Sequence, residues 1–241
     1  MFEGLAEADL ARRSRPDAFS TRIETPRRGR TQSVLLQGPE RSYDADATIY
    51  AQTEPADFIY QVVAGVVRTV TLRPDGRRAV HGFHLPGEIF GLEREKLHHC
   101  SAEAIGASRL VQWPQRRLDA LAGGNADAAR ELWIGLLTSR DRTAERFMHV
   151  MHGTASEKLA YFLIDLTWRM RSEGRIQLPM SRYDIADYLG LASETVSRTF
   201  TVFRARGLIS TQGREVRLLS DEILRLSGAD DIAAHWPTTL A

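Results

Sequence analysis

A segment in the C-terminal third of the chain repeats apolar positions every three or four residues, which is typical of two short amphipathic helices. Ser181 is expected to cap the first helix, with Asp184 completing a near capping box. Ser193 is expected to cap the second helix, which ends before Gly207. Gly190 lies between the helices, where a tight turn needs a positive φ angle. The pattern predicts a helix-turn-helix.

A longer stretch without proline, Ala126–Met151, also carries apolar or small side chains at helical spacing. It predicts one long helix over residues 125–152, whose apolar stripe is typical of a dimerisation seam. The alternative is a helix packed only on its own domain. A break at residues 152–154 predicts a hinge, followed by a second amphipathic helix that Thr154 or Ser156 caps. The expected dimer residues are Leu132, Leu136, Thr143, Phe147 and Val150.

Between residues 32 and 114, short β-branched runs alternate with turn signals. This spacing predicts a small antiparallel barrel or roll, with one hairpin turn at residues 73–76. Two short runs around Gly213 predict a β-wing. We therefore expect an α+β fold with an N-terminal antiparallel β-roll, a long dimerisation helix and a C-terminal winged helix-turn-helix. The expected domains are a flexible arm at 1–30, the β-roll at 31–124, the long helix at 125–152, the DNA-binding domain at 153–227 and a tail at 228–241.

Composition narrows the functional class without deciding it. The 241 residues are 43% hydrophobic and 26% charged, which is ordinary for a globular protein, and the formal net charge is only +1. The sequence shows no apolar run of membrane-spanning length and no signal-peptide pattern, so we expect a cytoplasmic protein. Because no strongly basic field indicates a nucleic-acid partner, the case for DNA depends on the motif.

Three residues near the start of the second predicted helix share one exposed face. Arg198 can donate two hydrogen bonds to guanine, Glu194 can accept from cytosine, and Ser197 can serve a base or a phosphate. The alternative is an ordinary i, i+4 surface ion pair between Glu194 and Arg198. The residues expected to contact DNA phosphates are Arg182, Ser193, Thr195 and Thr199.

The segment GLASETVSRTFTVFRARGLIS resembles the recognition region of the cyclic-AMP receptor and fumarate–nitrate regulator (CRP/FNR) superfamily, whose pattern is E-T-V/I-x-R. Ser197 before Arg198 is similar to the FNR and FixK branch. The resemblance covers roughly residues 30–225, and the run FIYQVVAGVVRTV resembles the β-roll of cyclic-nucleotide-binding domains. It implies a homodimer in which Glu194, Ser197 and Arg198 read the double-stranded DNA of a palindromic TTGA-type site.

The β-roll departs from the cyclic-AMP-binding pattern. Leu92 follows Gly91 where the family has a ribose-binding glutamate, and His99-Cys100-Ser101 replaces the phosphate-binding Arg-Ser pair. A buried phosphate would lack its arginine, so we expect no cyclic AMP binding. A single cysteine cannot hold an iron–sulfur cluster, which needs four thiolates or close substitutes. We expect no cofactor.

Effector sensing by another route stays open as an alternative. His98, His99 and Cys100, with His81 and His84 nearby, offer ligands for a metal ion or haem. Successive side chains of an extended strand point to opposite faces, which favours a plain loop and no metal site. Cys100 is a redox candidate if the neighbouring histidines lower its pKa, and otherwise an inert thiol.

The sequence thus predicts a transcription regulator, most simply an activator of the FixK-like branch acting in low-oxygen, nitrogen-oxide or nitrogen-fixation programmes. RNA polymerase is a further expected partner, by resemblance to activating loops of the family. The expected contact is the hairpin at residues 73–78, for which the alternative is a solvated turn. No phosphate loop or hydrolase motif is found, so an enzyme is not expected. The polymerase-contact candidates are Arg73, Asp75, Arg77 and Arg78.

Overall fold

Two four-stranded antiparallel sheets build the N-terminal half of the protein. The computed structural model describes residues 38–76, 78–117 and 126–228. The expected arm, Arg77 and the tail beyond residue 228 lie outside the described residues. The strands are β1 (Glu40–Tyr43), β2 (Thr48–Tyr50), β3 (Phe58–Ala64), β4 (Val67–Leu72), β5 (Arg78–His84), β6 (Ile89–Phe90), β7 (Ser101–Ala104) and β8 (Ser108–Pro114). The sheet orders are β1-β8-β3-β6 and β2-β7-β4-β5, which confirms the predicted roll.

Strands β4 and β5 form the predicted hairpin. The amide of Gly76 donates to the carbonyl oxygen of Arg73 at 2.9 Å, and the φ angle of Gly76 is 78°. The pairing of β4 with β5 changes register between Thr69 and Val70, which marks a β-bulge. Val67 and Val70 lie three positions apart and therefore face opposite sides of the sheet, so Val67 packs inside the roll and Val70 packs in the core that the roll shares with the helices.

Aromatic rings fill the interior of the roll. The ring centroids of Tyr50 and Tyr60 lie 5.5 Å apart, and Tyr60 stacks on Phe90 at 5.3 Å. His98 stacks on Tyr50 at 3.6 Å, and His84 stacks on Phe90 at 4.8 Å. These rings bury a large apolar area, so this end of the roll is a packed core.

Two helices follow the roll. Helix α1 spans Ala126–His152 and helix α2 spans Ala155–Arg169, so the predicted long helix and the break after it are confirmed. A Cβ atom on Gly153 would lie 2.7 Å from the carbonyl oxygen of His149, and only glycine fits this close approach. Thr154 then caps α2, and Glu157 completes the capping box. Within the described residues, none of the helices combines the length and apolar character needed to cross a bilayer.

The C-terminal part is a winged helix-turn-helix, as predicted. Its helices are α3 (Arg182–Leu189), α4 (Ser193–Ala205) and α5 (Glu222–Ser227), and its strands are β9 (Arg175–Gln177), β10 (Ile209–Gln212) and β11 (Glu215–Leu218). The sheet order is β10-β11-β9. The sequence pattern predicted β10 and β11 but not β9, a three-residue strand that pairs with β11 through Ile176 and Val216.

A second, larger core joins the roll to the helices. Phe83 of β5 lies 5.0 Å from the ring of Tyr188 on α3, and Phe162 of α2 packs on both rings. The guanidinium of Arg146 lies over the ring of Tyr188 at 4.7 Å. Arg169 also donates to the carbonyl oxygen of Phe83. The helix-turn-helix therefore packs directly on strand β5 in addition to its covalent link after α1.

Candidate nucleic-acid interface

The first helix of the motif, α3, begins with a complete capping box. The hydroxyl of Ser181 accepts from the amide of Asp184 at 3.1 Å, and the carboxylate of Asp184 accepts from the amide of Ser181 at 3.0 Å. The helix ends at Gly190, whose φ angle is 63°. Both features match the prediction from sequence, because caps and left-handed turn residues act within one helical turn.

The second helix begins one residue away from the expected cap. Ser193 is its first helical residue, and Ala192 takes the capping position with no side-chain hydrogen bond. The expectation that Ser193 caps this helix is therefore wrong. Serine favours the capping position, but the tight turn after Gly190 places Ala192 there instead. The side chain of Ser193 is left at the rim of the exposed face.

The buried side of α4 determines which side chains face outward. Val196, Phe200 and Phe203 are buried at 4% exposure or less, and they anchor the helix on the core. Glu194 and Arg198 are consequently exposed, and so is Ser197. The structure brings these three base-reading candidates onto one solvent face at the N-terminal end of the helix. No ion pair joins Glu194 to Arg198 in the described part of the chain, so both side chains can contact an external partner.

A shallow depression on this face brings α3 and α4 together. Its lining residues are Arg182, Tyr183, Ser193, Glu194, Ser197 and Arg198. The guanidinium of Arg182 stacks 3.2 Å from the ring centroid of Phe200, and its buried Nη1 has no hydrogen-bond partner. Burial and the neighbouring Arg204 lower the pKa of Arg182 to about 10, which leaves it protonated at neutral pH. Arg182 is half-buried, so the accessible part of its protonated side chain remains the candidate for a phosphate contact.

Two further side chains refine the expected phosphate contacts. Thr199 is wrong as a contact, because it is buried and its hydroxyl donates to the carbonyl oxygen of Thr195 at 2.8 Å. Thr195 itself is half-buried. Tyr183 was missed by the sequence analysis, although its side chain is 71% exposed in the depression. Its position directly after Arg182 at the start of α3 was the available signal.

Two arginines of the roll hold the helix-turn-helix in place. Arg78 of β5 lies 3.0 Å from Oδ1 of Asp184, and Arg68 of β4 lies 3.2 Å from the same atom. Arg78 also pairs with Asp187 at 3.3 Å. Burial alone raises the pKa of Asp184, but hydrogen bonds from Ser181 and the two arginines outweigh it and leave the pKa below its usual range. These four residues join the β-roll to the helix-turn-helix, and we call them the clamp: Arg68, Arg78, Asp184 and Asp187.

The clamp includes one of the polymerase-contact candidates. Arg78 pairs with Asp184 and Asp187, and its contact with RNA polymerase stays a prediction. Arg77 lies outside the described residues. Arg73 and Asp75 are exposed at the tip of the β4–β5 hairpin. Arg78, the first residue of β5, therefore lies close in sequence to the hairpin tip while its side chain pairs with α3.

Helix α1 exposes an apolar face. Leu136, Thr143 and Phe147, which were expected in the dimer seam, line an open groove with Ser139, Arg140, Ala144 and Met148. Trp133, Ile134, Leu137 and Met151 add further exposed apolar area and were not predicted. Leu132, Leu136 and Val150 are half-buried, and Val150 lies beside Gly190 of the helix-turn-helix. The open face is thus rotated from the expected stripe, because α1 also packs on its own subunit.

The surroundings of Cys100 favour an inert thiol over a redox switch. The residue is only 3% exposed, and burial raises the pKa of its thiol to about 11, with the nearby Glu93 adding to the shift. The neighbouring histidines therefore do not create the low-pKa thiolate that a redox switch needs.

Comparisons with known proteins agree with this geometry. Residues 157–226 match the Crp-like helix-turn-helix domain family. Residues 40–125 match the cyclic nucleotide-binding domain family. The two matched segments contain the recognition helix and most of the roll, respectively.

Similar whole proteins are transcription regulators. The chain is 39% identical to the nitrogen fixation regulation protein FixK of Rhizobium meliloti, with 79% of this chain and 88% of the relative covered. It is 36% identical to the transcriptional activator protein Anr of Pseudomonas aeruginosa, with 75% and 77% covered. The structure of FixK2 from Bradyrhizobium japonicum is similar with a TM-score of 0.72 at 40% identity, covering 79% of this chain and 98% of that one. The chain therefore belongs to the CRP/FNR family of DNA-binding transcription regulators, in its FixK-like branch.

Proposed function

We propose that the protein is a homodimeric activator that reads a palindromic TTGA-type DNA site through Glu194, Ser197 and Arg198. The observation that carries this proposal is the outward face of α4, where a carboxylate, a hydroxyl and a guanidinium project together from the helix N-terminus. Such a helix end enters the major groove, where arginine pairs with guanine and glutamate with cytosine. The protonated side chain of Arg182 lines the same depression, which supports a phosphate contact beside this face.

A second copy of the chain is the occupant proposed for the open face of α1. Six of the twelve large apolar side chains that are exposed among the described residues lie on this one helix. An apolar surface of that extent needs cover in water. The face runs along a helix of 27 residues, and a two-fold pair of such helices would present two recognition helices to the two halves of a palindrome.

The proposal includes activity without cyclic nucleotide or an iron–sulfur cluster. Gly91 packs against Tyr60, since a Cβ atom added to Gly91 would lie 2.8 Å from Cδ2 of that ring. The hydroxyl of Ser101 already accepts a hydrogen bond from the amide of Gln52 at 2.9 Å. The residue before Ser101 is Cys100, where the phosphate-binding Arg-Ser pair of the family would have arginine. The full sequence contains one cysteine, which is too few for a cluster of the usual kind.

The physiological role and the protein partner are further parts of the proposal. We propose low-oxygen, nitrogen-oxide or nitrogen-fixation gene control in the cytoplasm, and the names of similar proteins support nitrogen fixation regulation and transcriptional activation. RNA polymerase is its proposed protein partner, with Arg73 and Asp75 at the exposed hairpin tip as contact residues.

Fluorescence anisotropy with purified protein and no added ligand tests the function. The probe is a duplex carrying TTGAT-N4-ATCAA, and the control is a scrambled duplex of the same length and composition at the same salt concentration. We expect specific binding at least about a thousandfold tighter than binding to the scrambled duplex. Equal affinity for both duplexes would contradict the proposed half-site. Selective binding that appears only after adding cyclic AMP would contradict the ligand-independent part.

A further inference from the structure

Three side chains with different metal-binding atoms converge in the loop between β6 and β7. Donor atoms of Glu93, His99 and Cys100 all lie within 4.8 Å of one another. The sequence analysis expected His99 and Cys100 to point apart as in an extended strand. Residues 99 and 100 form a bend instead, so both side chains reach the same point. The strand argument against a common ion therefore does not apply to these two residues, although they do lie in a loop.

Surrounding residues hold this triad in position. The carboxylate of Glu93 lies 2.6 Å from Nδ1 of His99 and 3.4 Å from Nδ1 of His98. His98 is only 2% exposed and stacks on Tyr50, so it gives the carboxylate a rigid support. The side-chain amide of Gln115 donates to the carbonyl oxygen of Glu93 at 2.9 Å. Supports of this kind orient metal ligands in known sites.

A fourth position is open towards solvent. The side chain of His99 is 66% exposed, whereas that of Glu93 is 10% exposed and Cys100 is buried. Solvent therefore reaches the three side chains from the side of His99. The ring of His81 on β5 stands edge-on to His99, with 5.9 Å between the centroids. Thr71 holds the His81 ring through Nε2 at 2.5 Å. A water molecule can complete four-coordination on that side.

We propose that Glu93, His99 and Cys100 form a zinc-binding site in the β-roll. A thiolate, an imidazole and a carboxylate are three of the ligands that Zn²⁺ takes in tetrahedral sites, and the mixture of soft and hard donors disfavours Mg²⁺ and Ca²⁺. Binding replaces the thiol proton of Cys100 and the hydrogen bond between Glu93 and His99 by bonds to the ion. The site is independent of the proposed DNA function and has its own test.

Cobalt(II) titration of the purified, metal-free full chain provides that test, because a Cys–Co²⁺ bond absorbs strongly in the near ultraviolet. We expect one equivalent of Co²⁺ to give this band and one equivalent of Zn²⁺ to abolish it. Competition with a chromophoric chelator then measures Zn²⁺ affinity in variants. His99→Ala and Glu93→Gln are expected to weaken Zn²⁺ binding by at least about tenfold.

The matched control is His152→Ala, an exposed histidine at the end of α1, which is expected to bind Zn²⁺ as the unaltered protein does. His99 is a safe position to change because its side chain is exposed, so loss of binding in His99→Ala is not a folding defect; circular dichroism checks this. Absence of the absorption band at millimolar Co²⁺ would overturn the proposal. Zn²⁺ binding that survives His99→Ala, or that is lost in His152→Ala, would overturn it equally.

Discussion

Both terminal nitrogens of the Arg78 guanidinium on strand β5 donate hydrogen bonds to Oδ1 of Asp184, each at 3.0 Å. The two residues are 106 positions apart in the sequence. The other oxygen of that carboxylate accepts from Ser181 and completes the cap of α3. The side chain of Asp184 thus caps the first helix of the helix-turn-helix and also binds that helix to the β-roll. The orientation of the recognition helix is coupled to the β4–β5 hairpin through this residue.

Arg78→Ala is expected to lower the free energy of unfolding by about 1–2 kcal/mol, because it removes charged hydrogen bonds to a buried carboxylate while Arg68 remains. Urea unfolding at pH 7 measures the change. Arg109→Ala is the matched control: its partner Glu40 is exposed, so we expect about 0.5 kcal/mol or less. An equal, small effect in both variants would show that the clamp does not stabilise the fold.

Arg198→Ala is expected to weaken binding to the TTGAT-N4-ATCAA duplex by about 1–3 kcal/mol and to relax base preference at one position of each half-site. Arg182→Gln is expected to weaken binding to specific and scrambled duplexes alike, and to reduce the slope of log affinity against log salt by about 1. Anisotropy titrations over a salt series separate the two behaviours. A sequence-independent loss in Arg198→Ala would contradict its role as a base reader.

Phe147→Asp places a charge in the open face of α1, where Phe147 is 59% exposed. We expect it to shift the protein from dimer to monomer in sedimentation velocity at micromolar concentration, because a desolvated carboxylate has no partner there. Leu72→Asp changes a side chain of similar exposure on the hairpin, and this variant is expected to stay dimeric. If both variants sediment as the unaltered protein does, the seam lies elsewhere.

Burial lowers the pKa of His84 to about 4, with Glu88 opposing and Arg169 adding to the shift. His84 binds a proton near pH 6.5 in the unfolded chain but only near pH 4 in the folded protein. The contribution of neutral His84 to folding stability is therefore complete above pH 6.5 and is lost as the pH falls from 6.5 to about 4. We expect this to cost up to about 3 kcal/mol. His84→Gln should flatten the dependence of unfolding free energy on pH in this window. His152→Ala, at an exposed site, should leave it unchanged, and a flat profile in the unaltered protein would refute the assignment.

The sequence by itself determined the elements whose signals act over a few residues. The Ser181 capping box, the Gly190 turn and the long α1 helix depend on contacts one helical turn apart or on the local backbone, so residue type and spacing predict them. The outward position of Glu194 and Arg198 followed in the same way from the buried period of α4. The family resemblance added the TTGA-type half-site, which no local pattern specifies.

Only the tertiary structure decided the features that join distant segments. The pairing of Arg78 with Asp184, the burial of Thr199 and the rotation of the open face of α1 depend on how the roll packs against the helices. The proximity of Glu93 to Cys100 depends on a bend at residues 99–100, where the sequence analysis considered an extended strand. Periodicity reports which side of an element is apolar, but the partner of that side is selected by packing across the whole chain.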